Sequence, residues 1–304
     1  MFIVKHRNIF FAITGLIAGA ALVSVVSFGL HFGLDFTGGT LVQVTYANGR
    51  PAPQALTQSL DTAGFVGYSL REANENDYIL RSRNLTEEQR TNLPATLSIE
   101  GTNAATVGQL TEIGPTIGLE LRNKALIALG LVLLCILFFV AFAFRKVSKP
   151  VSSWRYGLIA LLTLCFDVIV PVGFFAYLGY AFGVEVDALF VTAVLTILGY
   201  SVHDTIVVFD RTRENLQFNH DRNRKEDFAD TAGRALGQTI VRSANTSLTT
   251  ALVLLILFMY GPESTSYFAL TLLVGIIAGT YSSIFLATPM LVAVEKWSGR
   301  QKKK

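Results

Sequence analysis

The chain has 304 residues, 51% of them apolar, and a mean hydropathy of +0.47, too hydrophobic for an ordinary water-soluble domain. Its 25 Lys/Arg and 22 Asp/Glu leave a formal net charge of only +3, so nucleic acid is not an expected partner. The two cysteines, Cys135 and Cys165, both lie in long apolar runs, where packing is expected rather than a disulfide or metal ligation.

Six segments reach the length of about 20 apolar residues that a membrane-spanning helix needs. They are roughly 8–30, 125–144, 156–182, 188–209, 239–260 and 267–294, and an even number puts both termini on one side. The first begins after Lys5-His6-Arg7 but is longer than a signal-peptide core and has no clear small-residue cleavage site, so it is expected to be retained as a span. If residues 31–124 lie outside, they carry 7 Lys/Arg against 10 Asp/Glu, while the other 18 basic residues cluster in the short connections and termini. The bias toward retained basic loops then places both termini and the loops 145–155 and 210–238 inside. The expected domains are a first span with its N-terminus (1–30), an external domain (31–123), spans two to six (124–295) and a basic tail (296–304) ending in Lys302-Lys303-Lys304.

Between the first two spans the composition becomes polar. Leu41–Tyr46 alternates as a half-buried strand does, and Pro53–Ala63 has helical spacing at Ala55, Leu56 and Leu60. Strands are expected at Gly67–Arg71 and Tyr78–Arg81, a helix opened by Thr86 as N-cap, and a last strand at Thr106–Ile113. The order β-α-β-β-α-β predicts a small α+β ferredoxin-like domain inserted in an α-helical membrane protein of six spans. Two glycine-rich junctions flank it, 33–40 with Asp35, Gly38 and Gly39, and 114–121 with Gly114, Pro115 and Gly118. They are either tight turns, with glycine supplying positive φ, or hinges that pass motion between span and domain.

The spans carry polar residues that need a reason to be there. Asp204 is a lone carboxylate between Leu195–Leu198 and Ile206–Phe209, and a charge at that depth is a functional-site hypothesis by default. Thr192, Thr196, Tyr200 and Asp204 recur every four residues, widened by Ser201 and Thr205. In the fifth span Arg242, Thr246, Thr249 and Thr250 share a face, with Asn245 beside it, and Asp167 sits mid-way along the third. Arg242 could snorkel to the interface or balance an ionised Asp204. The Ser and Thr residues could equally satisfy helix packing, the role also expected for Gly15-x-x-x-Gly19 and Gly275-x-x-x-Gly279.

Covalent chemistry is not expected. The four histidines (His6, His31, His203 and His220) show no ligand spacing, and His203 is expected to bond a neighbour. No phosphate-binding loop, nucleophile elbow or zinc motif occurs. No metal or cofactor is expected, and energy would come from a transmembrane gradient or from a partner.

The motifs LDFTGGT (34–40), GPTIGLEL (114–121), LTILGYSVHDTIVVFDRTREN (195–215), NTSLTT (245–250) and GTYSSIFLA (279–287) closely resemble the SecD/SecF family of bacterial protein-export membrane proteins, in its SecF branch, within the RND superfamily. The resemblance covers nearly the whole chain. It implies an inner-membrane subunit with both termini cytoplasmic, paired with SecD and docked on the SecYEG channel. It implies proton-driven assistance to a translocating preprotein, with accessory membrane proteins such as YajC and YidC as further partners. Asp204 and Arg242 match the family's proton-relay Asp and Arg, with Asp167 as a secondary candidate. Tyr200, Ser201, Thr205, Asn245, Thr246 and Thr249 would support them. Two positions depart from the family pattern, Phe166 where many members carry His and His203 where Asn is usual. An RND-type exporter of small molecules or lipids, and a structural subunit that moves no protons, are the alternatives.

Overall fold

A computed structural model describes residues 2–47, 49–73, 75–98, 104–145 and 151–301. Residues 146–150 of the expected loop and the tail Lys302-Lys303-Lys304 lie outside them. The chain divides into a membrane unit, residues 1–31 with 127–304, and an external unit, residues 32–126.

The external unit has the expected order. A one-turn helix α3 (Leu34–Thr37) leads into β1 (Gly39–Tyr46), α4 (Pro53–Thr62), β2 (Ser69–Glu72), β3 (Asp77–Ser82), α5 (Glu87–Leu97) and β4 (Ala105–Ile113). The four antiparallel strands lie in the order β2-β3-β1-β4, the ferredoxin-like arrangement. Alternation along β1 turns Val42, Val44 and Tyr46 inward against Leu56 and Leu60 of α4 and Leu93 and Leu97 of α5. Tyr46 donates its hydroxyl to Leu97 O at 3.0 Å, and burial pushes its phenol up to about 12. Thr86 caps α5 in a reciprocal pair with Gln89, as Ser/Thr-x-x-Gln before a helix predicts.

The two glycine junctions are one structure. β1 and β4 pair with Gly39 opposite Ile113, so the end of one junction lies beside the start of the other. Gly38 holds φ at +72°, and a Cβ there would sit 2.7 Å from Pro115 Cα. Gly118 approaches so closely that a Cβ would meet Gly38 N at 2.8 Å and Phe36 O at 3.1 Å. The second junction is no loop: Pro115 begins the helix α6 (Pro115–Ala143), and Gly118 lies in its first turn. Asp35 acts through space on Arg81 of β3, whose guanidinium burial and the neighbouring Arg71 push below its ordinary value.

The membrane unit holds a short α1 (Phe2–Lys5), α2 (Arg7–Phe28), the remainder of α6, α7 (Ser153–Phe182), α8 (Ala188–Asp221), α9 (Phe228–Tyr260) and α10 (Glu263–Ser282). A π-helical turn, Ser283–Ala287, joins α10 to α11 (Thr288–Gln301). Among the described residues six helices are long and apolar enough to cross a membrane, the last of them running through α10, the π turn and α11. The molecule is therefore a multi-pass α-helical membrane protein.

Packing follows the small residues, though not always the expected ones. Gly275 and Gly279 seat α10 on α8, against Ile197 and Ser201, where any Cβ would collide. Gly15 and Gly19 of α2 have no atom within 4 Å of their Cβ positions, so the packing expected there is not made by the described residues. Instead α2 meets α7 through Ala21 on Gly173, and Ser24 donates to Gly173 O at 2.7 Å. Cys135 is also exposed rather than packed, since it precedes the buried stretch of Val140 and Ala141 at the end of α6 and Phe144 just beyond it.

The expected inner loop 210–238 is mostly helix. The 34 residues of α8 rise about 51 Å, well beyond a hydrocarbon core of about 30 Å, and α9 begins only seven residues after α8 ends. Outside the apolar zone the hairpin is clasped by polar bonds. Asn219 donates to Glu226 Oε2 at 2.6 Å and to Thr231 at 3.1 Å, and Arg234 reaches Glu226 at 2.6 Å and Asn219 Oδ1 at 3.2 Å. Arg211 and Asn215 both donate to Gln238, at 2.8 and 3.0 Å.

Two tests follow from this packing. Gly118→Leu should destabilise the chain by about 1–3 kcal/mol through overpacking, while Gly130→Leu, with open space around it, should not. Thermal midpoints of the purified chain measure both. For Glu226, partial burial works against its charge, but the bonds from Asn219 and Thr231 and the charges of Arg234 and Arg224 outweigh it and hold the carboxyl below its ordinary 4.5. A depressed folded-state value stabilises above the unfolded value and ceases to do so as pH falls through the folded one. Glu226→Gln should therefore cost about 1–3 kcal/mol at pH 7 and nothing once the pH is well below 4.5, read from melts of both proteins across that range.

Candidate functional site

Asp204 lies on α8, a helix begun by Asp187, which accepts from Phe190 N at 2.7 Å. The four-residue series Thr192, Thr196, Tyr200, Asp204 turns steadily, because each step of four residues overshoots a full turn by about 40°. Thr192 and Thr196 consequently face outward, Tyr200 is half-buried with its hydroxyl 3.3 Å from Thr250, and Asp204 points inward at 5% exposure.

Its partners are hydroxyls. Ser243 of α9 donates to Asp204 Oδ1 at 3.3 Å, and Ser247, one turn on, donates to Oδ2 at 3.5 Å. Thr280 of α10 donates to Ser247 at 2.6 Å, so three helices converge on one carboxylate. A hydroxyl donates to a carboxylate and accepts from a carboxylic acid, so this cradle holds either protonation state without rebuilding.

The expected ion pair with Arg242 is not formed among the described residues. Successive helix positions lie about 100° apart, and it is Ser243 that faces Asp204, which turns Arg242 outward. Arg242 and His203 act on Asp204 only through space. Asn245, Thr246 and Thr249 share the outward face, and both threonines return their hydroxyls to their own helix. His203 is likewise exposed and bonds none of the described residues, contrary to expectation, since its neighbour Asp204 has taken the inward position.

Asp167 forms a second polar centre. It is fully buried on α7 and accepts a short hydrogen bond from Ser201 of α8, where Gly279 lets α10 close over the pair. Ser201 and Asp204 are three residues apart, so the two carboxyls lie within about one helical turn of each other along α8. Thr205 is buried one turn beyond Ser201. Thus Ser201 belongs with Asp167, whereas Asn245, Thr246 and Thr249 share the outward face with Arg242.

Reasoning from the sequence missed Ser243, Ser247 and Thr280. Leu236, Thr239, Ser243, Ser247 and Leu254 recur at the helical period and are all buried, a face marked by small residues rather than by charge. No group of three or more His, Cys, Asp or Glu side chains that could hold a metal occurs among the described residues.

Comparison with known proteins places these features in a family. Residues 96–297 match the family model "Protein export membrane protein SecD/SecF, C-terminal", and residues 23–49 match "SecD/SecF GG Motif", which covers Gly38 and Gly39. The protein translocase subunit SecF of Thermobaculum terrenum is 41% identical over 96% of this chain and 93% of its own length. That of Anaerolinea thermophila is 35% identical over 98% and 95%. A crystal structure of SecDF, a translocon-associated membrane protein from Thermus, superposes with a TM-score of 0.79 at 31% identity. The superposition takes in 97% of this chain but 38% of that one, so the chain is similar to a little over a third of the SecDF polypeptide. The chain belongs to the SecD/SecF family of protein-export membrane proteins, in its SecF group.

Proposed function

We propose that the chain works as the SecF half of a complex with SecD, and that it uses the proton motive force to assist preprotein translocation through SecYEG. One observation carries most weight. A buried carboxyl, Asp204, is held by hydroxyls on the inside of a helix pair whose outer face presents Arg242 and His203 at membrane depth. A cation left facing lipid is costly, so that face calls for a polar partner. A SecD subunit with a similar bundle would supply one, and the likeness to crystal structures of SecDF supports that choice. The basic ends of the helices are proposed to face the cytoplasm of a bacterial inner membrane, with both termini there. The joined turns around Gly38 and Gly118 are the proposed joint through which proton movement reaches the external domain. YajC and YidC are proposed accessory partners, and no cofactor beyond the gradient is invoked.

Two substitutions test the relay. Asp204→Asn keeps the volume and the bonds to Ser243 and Ser247 but holds no exchangeable acidic proton. Insertion and co-purification of the SecD partner should be normal, with gradient-stimulated export in vesicles abolished. Stimulation at the unsubstituted rate would discard the role.

Arg242→Lys separates a partner contact from simple anchoring. A snorkelling residue needs only a positive head, which Lys keeps, whereas a contact made through the planar guanidinium loses a charge-assisted hydrogen bond. That loss is about 1.5–3 kcal/mol, so export should fall about ten- to a hundredfold with unchanged protein levels. An unaltered rate would leave Arg242 as an interfacial anchor.

A further inference from the structure

We propose that a file of buried water runs inside this chain from Asp167 to the basic end of the membrane unit, giving that carboxyl its own proton exchange with the aqueous phase there. The observation behind it is a set of side-chain atoms that should have partners and do not. Asp167 Oδ1, Thr205 Oγ1, Tyr156 OH and Thr288 Oγ1 are buried and bond none of the described residues. Buried polar groups are nearly always hydrogen-bonded, so these four atoms call for an explanation.

They are not scattered. Ser201 of α8 holds Asp167, Thr205 lies four residues further along the same helix, and Phe209 four further again. The Tyr156 ring stands edge-on to Phe209, with centroids 5.2 Å apart. Thr205 and the α8 neighbours of the other two, Ser201 beside Asp167 and Phe209 beside the Tyr156 ring, therefore fall at successive turns of α8, each step about 6 Å and descending toward the basic end. Thr288 follows Ala287, which packs in the same buried cluster as Tyr156 and Phe209.

The other threonines show how unusual the two unpartnered ones are. Thr192, Thr196 and Thr212 of α8 each return the hydroxyl to the carbonyl four residues back, at 2.8–2.9 Å. Thr14, Thr239, Thr246, Thr250 and Thr271 do the same elsewhere in the membrane unit. Thr205 and Thr288 do not, so their hydroxyls are left to point elsewhere. For Thr288 the π-helical turn Ser283–Ala287 contributes, because its wider coil shifts the preceding carbonyls from their α-helical places. Ser282 also comes within side-chain hydrogen-bonding reach of Asp167, besides donating to Gly279 O at 3.0 Å, and Oδ1 is the oxygen left over.

Water is the occupant that fits. Tyr156, Thr205 and Thr288 each bring an O–H that needs an acceptor, and Asp167 Oδ1 is an oxygen that needs a donor when ionised. A metal cation would accept nothing from the three hydroxyls, whereas water satisfies both kinds of group. The file lies on the Asp167 side of α8, distinct from the serine cradle on α9, so its failure would leave the proposed role of Asp204 standing.

The test is thiol reactivity in the full complex, in native membranes opened to both sides, with Cys135 and Cys165 replaced by Ala. Thr205→Cys is compared with Val208→Cys, which lies nearer the basic end but is packed among Ile3, Leu236 and Ile284. With 2-aminoethyl methanethiosulfonate, position 205 should react at least about tenfold faster than 208, the reverse of what depth alone predicts. Equal or slower reaction at 205 would overturn the file. If Thr205→Cys fails to insert, hydroxyl-radical footprinting of the unsubstituted complex serves instead. Tyr156 should then be oxidised well above Tyr46, which is equally buried in the external core, and oxidation at the Tyr46 level would overturn the proposal.

Discussion

A carboxyl group at membrane depth has few ways to exist. It can lose its charge, pair with a cation or gather hydrogen-bond donors, and an uncompensated charge there costs several kcal/mol. This chain gathers donors. Asp204 draws Ser243 and Ser247 from α9 and, behind them, Thr280 from α10, while Asp167 draws Ser201. The glycines of α10 fall where α8 must come close, and Gly279 sits directly on the serine that holds Asp167. The close approach of α8 and α10 and the inward turn of Ser243 on α9 both serve to satisfy those two side chains.

Much of this was legible in the chain, and the rest was hidden for definable reasons. The six spans and the β-α-β-β-α-β order could be read because bilayer thickness and the pleat of a strand impose lengths and periods that composition reveals. The Thr86 cap was legible because it is local. The partner of Asp204 was not, since charge complementarity favours Arg242 and only the rotational phase of α9 favours its neighbour Ser243. Phase is set by contacts all along a helix, which no single position announces. The same holds for Gly15 and Gly19, whose spacing matches that of Gly275 and Gly279 but whose face meets none of the described residues. The length of α8 and α9 was hidden too, because helix beyond the bilayer is polar and reads like loop.

The outward polar residues of α8 and α9 complete the picture of a half-built object. His203, Arg242, Asn245 and Thr249 occupy a surface that, in a chain sufficient by itself, would be apolar. The external domain shows no such deficit. Its core closes on Tyr46, Tyr78 and the leucines of α4 and α5, with both tyrosine hydroxyls bonded to backbone.

The clasp outside the bilayer has a consequence for the site within it. Asn219 lies fifteen residues from Asp204 along α8, about 22 Å, and Arg234 lies nine residues before Ser243 on α9. Bonds among Asn219, Glu226, Thr231 and Arg234 fix how far each helix is wound relative to the other at the point where the hairpin turns. Lengthening the turn by one residue would carry that rotation down α9 and bring a different side chain opposite the carboxylate. The hairpin thus acts as an indexing device, in which water-facing chemistry sets the dial for a position that water-facing chemistry never touches.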